Sequence, residues 1–300
     1  MSDSLESLRK KIKSASDLGS VARIMKVMAA SNIGQYEMAV RSLAEYYRTI
    51  QLGLLASFYR DGKNALAEAP DKNTGRATGV IVFGSDQGLV GRFNDSLASF
   101  VAESLGKIPG TKKIWAAGER LSLPLADLGL VPAKVFPVPN SVAAITSLVG
   151  QMLLISEESR EKKEIEECYI FHNRPGRGSG YEAVSQRFLP LDGKWKQELS
   201  TQSWPSKNLP QVMGAFGETL SALLREYLFV SLYKACAESL ASENAGRLEA
   251  MQRAEKNIDD MLSGLGTRYN GLRQRTIDEE LFDVIAGFEA LPRRTENNQQ

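Results

Sequence analysis

Histidine is almost missing from this chain: His172 is the only one. A Ser-His-Asp triad would therefore have a single place to be built, and no spacing of metal ligands appears around it. Cysteine is nearly as scarce. Cys168 and Cys236 stand in separate segments without a CxxC spacing, which argues against a metal knuckle or a disulfide framework and for a reducing compartment. Neither sign of charge is in excess, since 37 Lys and Arg face 36 Asp and Glu. That balance removes the general electrostatic case for a nucleic-acid or anionic-membrane binder. A run of about 18 apolar residues, the signature of a membrane span, occurs nowhere. The opening stretch, from Met1 to Lys10, carries charge where a signal peptide needs an apolar segment, and no Arg- and Ser-rich leader precedes the first helix. The expectation is a soluble cytoplasmic chain, bacterial or already processed.

What is present is periodicity. Alternating steps of three and four from Leu5 pass through Leu8, Ile12, Ala15, Gly19, Ala22, Lys26 and Ala29, and continue to Ser57 with thirteen of sixteen positions apolar. No proline interrupts them. A heptad stripe of that length predicts a coiled-coil helix of roughly 80 Å. A second stripe runs from Phe216 through Tyr227, Asn244, Glu255 and Leu272 to Thr276, with fourteen of eighteen positions apolar. It then changes phase to Ile277, Leu281, Val284 and Phe288, which predicts a local change of supercoil. With Leu209 as its start, this helix would run on the order of 120 Å. Each seam needs a partner. Pairing of the two helices within one chain is favoured, because both flank a single middle domain and an intramolecular pair costs less entropy. Self-dimerisation of each helix is the alternative.

Between the stripes the pattern turns to short apolar runs. Gly79–Phe83, Lys113–Ala117, Glu167–Phe171 and Arg187–Leu191 read as buried strands, with helical pieces near 94–105, 119–128 and 141–155. Strand and helix alternate as in a parallel, Rossmann-like α/β sheet. The expected fold is thus an α/β middle domain between two long terminal helices that form an antiparallel coiled coil. Its expected divisions are an N-terminal helix over 1–60, a connector over 61–76, the α/β domain over 77–192, a linker over 193–208, a C-terminal helix over 209–289 and a flexible tail over 290–300. Arg174–Gly180 reads as a flexible turn.

Few residues suggest chemistry. Gly84–Gly91 is a glycine-bearing turn after a strand and before a helix, the setting of a phosphate loop. It lacks the Gly-Lys-Ser/Thr ending and does not fit GxGxxG, so tight packing, with Asp86 bonding the turn or capping a helix, is the favoured reading. His172 reads as a surface histidine at the end of a strand. The acidic cluster from Glu157 to Glu167 is interleaved with Arg160, Lys162 and Lys163 and reads as a solvated helix end. No cofactor, metal or catalytic site is expected. The seam itself is uneven. Ala15, Gly19, Ala22 and Ala29 are small and should thin the coil, while Val21, Met25 and Met28 form a second apolar line beside it. Such a line implies a wider seam, a third helix or an enclosing sleeve.

Three stretches, Arg23–Ser31, Ser85–Asn94 and Ser239–Met251, together with Tyr269–Ile277, resemble the signature segments of the gamma subunit of F-type ATP synthases. The likeness spans nearly the whole chain in the right order. It implies a non-catalytic rotor, the central stalk, which turns within a hexamer of alpha and beta subunits, meets an epsilon subunit and joins the membrane c-ring. The implied location is the cytoplasmic face of the bacterial inner membrane. Carried over by position, Met25 meets the lever of a catalytic subunit, Arg273 and Gln274 meet its catch loops, and Asp278, Glu279 and Glu280 follow as acidic positions. Val21-Ala22-Arg23-Ile24-Met25 stands where the family usually has Ile-Thr-Lys-Ala-Met, Asn32 and Gly34 stand where basic residues are common, and Val90 and Arg92 replace a usual Cys and Gly. These departures imply a divergent member, of an alternative or sodium-linked ATPase.

Overall fold

A computed structural model describes residues 4–61, 77–176, 180–191, 193–201, 204–206, 208 and 215–289. The expected connector beyond residue 61, the tip of the Arg174–Gly180 turn, the start of the second long helix before residue 215 and the tail after residue 289 lie outside them. The chain divides into two compact units, one formed by Met1–Lys26 with Met251–Gln300 and the other by Val27–Ala250. Two helices contribute to both: α1, Leu5–Asp61, and α6, Phe216–Glu289.

The larger unit is built on a five-stranded sheet. In chain order its elements are β1 (Ala77–Phe83), α2 (Phe93–Gly106), β2 (Lys112–Ala117), α3 (Glu119–Asp127), β3 (Lys134–Phe136), α4 (Val142–Glu161), β4 (Ile165–Pro175), β5 (Tyr181–Leu189) and α5 (Gly193–Ser200). The strand order is β3-β2-β1-β4-β5. β1, β2, β3 and β4 run parallel, and β5 turns back antiparallel along β4 from Cys168 opposite Leu189 to Pro175 opposite Tyr181. The sheet is therefore mostly parallel rather than wholly so. β5 begins at Tyr181, six residues before the expected strand, because a half-buried edge strand carries too few apolar residues at its start to register as one. β3 is too short to show a period at all.

Successive side chains of a strand point to opposite faces, and the apolar runs of β1 and β2 feed two separate layers. Val80, Val82, Ile114 and Ala116 pack under α2 and α3, against Leu97, Val101, Leu121 and Leu125. Ile81, Phe83, Trp115 and Ala117 face the other way, onto Ile145, Val149 and Met152 of α4 and onto buried residues of α1 and α6 such as Leu54, Val230, Leu232 and Ala237. The long helices thus supply part of one face of the sheet's own core.

Along both units the partner of each long helix is the other. Gly53 lies against Leu223 and Gly19 against Ile258, Tyr46 donates to Glu226 at 2.7 Å, Asn32 donates to Asn244 at 3.3 Å, and Arg23 pairs with Glu255. Numbers fall along one helix as they rise along the other, so the pair is antiparallel. Every position of the first stripe from Leu5 to Ser57 is buried or half-buried, and in the second stripe to Thr276 only Lys234 is exposed. At Gly19 an added Cβ would stand 3.3 Å from Ile258, so the small residues do bring the backbones close. The polar seam residues Lys26 and Glu255 meet each other in an ion pair.

The phase change at Ile277 has a different outcome from the expected change of supercoil. Ile277, Leu281 and Val284 are exposed. Leu8, in the first turns of α1, lies beside Leu272, so α6 runs on past the start of its partner and its apolar stripe there has nothing to pack on among the described residues.

Candidate functional site

In a doubly wound sheet, ligands bind beyond the carboxyl ends of the parallel strands where the strand order reverses. Here that point lies between β1 and β4, at Phe83–Gly84 and His172–Asn173. The turn after β1 is held from inside. Asn94 of α2 accepts from the Ser85 amide at 3.1 Å and donates to Ser85 Oγ at 2.9 Å. Asp86 caps α3 rather than its own turn, accepting from the Glu119 amide at 2.8 Å and from the Val138 amide at 2.7 Å. Gly84 is required by packing, since a Cβ there would sit 2.6 Å from Leu121 Cβ.

From outside, α6 closes the crevice. Ser239 Oγ donates to the Phe83 carbonyl at 2.9 Å. His172 Nε2 lies 2.8 Å from Glu238 Oε2, and a Cβ on Gly246 would stand 3.0 Å from the Val90 carbonyl and 3.1 Å from the Tyr181 ring. His172 is therefore buried, 4% exposed, contrary to the surface position expected from the sequence. The reason is coverage: the strand end that looked free is roofed by a helix 66 residues further on. Burial would push the Glu238 carboxyl up, but the His172 hydrogen bond, with Lys234 and Arg174 nearby, holds it below the usual carboxylate range. Along the same face Arg247 donates to Glu243 at 2.6 Å, both side chains buried, and burial raises the Glu243 carboxyl against the pull of Arg247. The turn that resembled a phosphate loop is a socket for the chain's own C-terminal helix. Two of the signature stretches, Ser85–Asn94 and Ser239–Met251, are its two sides.

The smaller unit carries the residues expected to meet partners. Met25 is half-buried on α1, level with Glu255, because Arg23 and Lys26 both reach that carboxylate. Leu18, Val21 and Ile24 beside it are exposed, and so is Met28, so the bare apolar residues go beyond the expected line of Val21, Met25 and Met28. Arg273, Gln274, Asp278 and Glu280 are all exposed on α6. They fall together within about two turns of helix, but 18 residues beyond Glu255 (273 − 255), or about 27 Å at 1.5 Å per residue. The structure thus separates two zones: an apolar one around Met25 and, after Leu272, a mixed one in which these polar and charged side chains stand among the bare apolar residues Ile277, Leu281 and Val284. The buried clamp of Glu238, Ser239, Glu243 and Arg247 is not evident in the sequence as a set. Its only trace there is a run of polar residues off the seam, three of them, Ser239, Glu243 and Arg247, spaced four apart.

The family described as ATP synthase matches residues 4–291 of this chain. The chain belongs to the ATP synthase gamma chain family. The ATP synthase gamma chain of Paramagnetospirillum magneticum is 26% identical over 294 residues, covering 96% of this chain and 99% of that relative. Among solved structures, a chain of the Euglena gracilis mitochondrial ATP synthase (OSCP, F1 and c-ring, rotational state 3) superposes with a TM-score of 0.62 at 14% identity, over 98% of this chain and 99% of that one. A chain of the Tetrahymena thermophila mitochondrial ATP synthase central stalk and c-ring gives 0.55 at 19% identity, over 78% and 99%. As a member of the family, the chain is a non-catalytic rotor subunit of the central stalk. No helix among the described residues is long and apolar enough to cross a membrane.

Proposed function

We propose that this chain carries torque between a membrane c-ring and a hexamer of alpha and beta subunits, with an epsilon subunit beside it, at the cytoplasmic face of a bacterial inner membrane. The observation that supports this most is the uncovered apolar line of Leu18, Val21 and Ile24 beside Met25. A helix pair whose seam is already closed has no internal use for a second apolar face, and such a face is an exposed liability unless another protein covers it. Met25 meets the lever of a catalytic subunit, Arg273 and Gln274 meet its catch loops, and Asp278 and Glu280 contact the hexamer just beyond them. Because the exposed line of Leu18, Val21 and Ile24 lies on one face of α1, each catalytic subunit encounters a different surface, and differential contact shifts its open and closed populations. The departures at Val21–Met25, Asn32, Gly34, Val90 and Arg92 mark a divergent member of the family, of an alternative or sodium-linked type.

Isolation of the native complex under mild conditions, with its components weighed, tests the reading: the chain should appear with a nucleotide-binding hexamer, and a particle without one overturns it. Arg273→Ala should weaken coupling between ATP turnover and rotation-driven ion transport by several-fold in the reconstituted complex while leaving the chain's melting temperature unchanged. Unaltered coupling removes Arg273 from the contact set.

A further inference from the structure

Through the larger unit, α6 is gripped on two sides by groups that bond in fixed directions. Glu238 and Ser239 are neighbours in sequence, and they reach two neighbours in the sheet, His172 of β4 and Phe83 of β1, which stand opposite each other in the parallel register. Glu238 Oε2 lies 2.8 Å from His172 Nε2, with the two side chains 16% and 5% exposed. Ser239 Oγ donates to the Phe83 carbonyl at 2.9 Å. The other carboxylate oxygen of Glu238 lies 3.8 Å from the Lys234 ammonium, one turn back on α6, and that ammonium stands 5.8 Å from the centre of the Tyr47 ring on α1. On the α1 side, Asn244 accepts from Asn32 at 3.3 Å.

At 3.6 residues per turn, Glu238, Ser239 and Gly246 fall within an arc of about 100° that faces the strand ends, and Asn244 points roughly opposite the middle of that arc. A turn of α6 about its own axis by about 10° would carry a side-chain tip, about 6 Å from that axis, through about 1 Å. A hydrogen bond weakens steeply over such a displacement, because it depends on angle as well as distance. Apolar burial is non-directional and follows the area covered, so it changes little. The contacts of Val230, Leu232 and Ala237 therefore hold α6 against the sheet, whereas Glu238 and Ser239 fix which way it is turned.

We infer that Glu238 and Ser239 are positioning residues for torque: they lock the azimuth of α6 to the sheet, so that rotation imposed on the α/β domain turns the long helix by the same angle instead of twisting it in its bed. The inference rests on the rotor reading above and names the side chains through which torque enters the helix. His172, the only histidine of the chain, is the sheet's half of one pin, and the Phe83 carbonyl is the sheet's half of the other. Hydrogen bonds that served only to satisfy buried polar groups would contribute to stability and not to stiffness, and that difference can be measured.

The test uses the full chain assembled with purified alpha and beta subunits, the hexamer fixed to a surface and a bead attached to the α/β domain through Leu154→Cys, an exposed position of α4. Cys168 and Cys236 are buried, so the bead is directed to that site. ATP should drive rotation of the bead on the parent chain, and in a stalled complex the angular variance of the bead reads torsional stiffness. Glu238→Ala/Ser239→Ala should widen that variance about twofold or more. Glu238→Gln, which keeps a hydrogen-bonding group toward His172, should stay at the parent value. Val230→Ala, a fully buried apolar position of the same helix, should lower the melting temperature at least as much yet keep the parent's variance. Where the double variant fails to assemble, Ser239→Ala alone should give a smaller widening. Unchanged variance in the alanine variants, or an equal widening in Val230→Ala, overturns the pins while leaving the rotor reading intact. A parent chain that does not turn in the hexamer overturns both.

Discussion

The same two helices behave differently in the two compact units. In the larger one, α6 is wrapped: Val230, Leu232, Ala235, Ala237, Ser239 and Ser242 are all buried, including positions well off the seam. In the smaller one only the seam is covered, and Leu18, Val21, Ile24 and Met261 stand exposed around it. One heptad pattern serves both, so the pattern alone does not say how much of a helix is buried. What differs is the neighbour. A sheet and its helices pack on the first stretch, and nothing among the described residues packs on the second.

That contrast can be broken by like-for-like substitutions. The largest effect is expected at Leu232, completely buried in the core shared by α6 and the sheet. Leu232→Ala should cost about 4 kcal/mol in denaturant unfolding, whereas Leu18→Ala, 61% exposed, should change stability by less than about 0.5 kcal/mol. Similar losses at both sites would mean that the outer face of the smaller unit is packed after all. Next in size is the buried clamp. Glu243→Ala leaves the Arg247 guanidinium buried without its carboxylate and should cost about 3 kcal/mol, and a double variant that also replaces Arg247 with Met should recover part of it.

The smallest effect belongs to the seam of the smaller unit. The hydrogen bond from Lys26, with Arg23 beside it, holds the Glu255 carboxyl below its ordinary value of 4.5. A carboxyl lowered on folding stabilises above its unfolded pKa, and that support is lost as pH falls through the lowered folded value. Glu255→Gln should therefore lower the melting temperature slightly at pH 7. The parent and the variant should converge below pH 4.5, as Glu255 itself takes up a proton. A gap that persisted in acid would assign the loss to packing instead of charge.

Part of this architecture is legible in the amino-acid pattern alone. The seams from Leu5 to Ser57 and from Phe216 to Thr276 stand out because a coiled coil repeats one local rule many times, and each heptad confirms the last. Buried parallel strands such as Gly79–Phe83 announce themselves as continuous apolar runs. The first six residues of the edge strand β5 and the three-residue β3 do not, since neither has a core face long enough to leave a period. His172 reads wrongly as a surface residue for a related reason. Its burial depends on Glu238 and Ser239, which are distant in sequence and look like ordinary helix polar residues until the helix is laid across the strand ends.

The sequence by itself determined that two long helices exist, which faces form their seam, and which family's signature segments they carry, because all of these are local patterns summed along the chain. Only the tertiary structure decided that the turn after β1 is a socket for α6 and that Ile277 and Leu281 are left bare where α6 runs past the start of α1. Each of those depends on where one element ends relative to another, and no periodicity along a single segment encodes that.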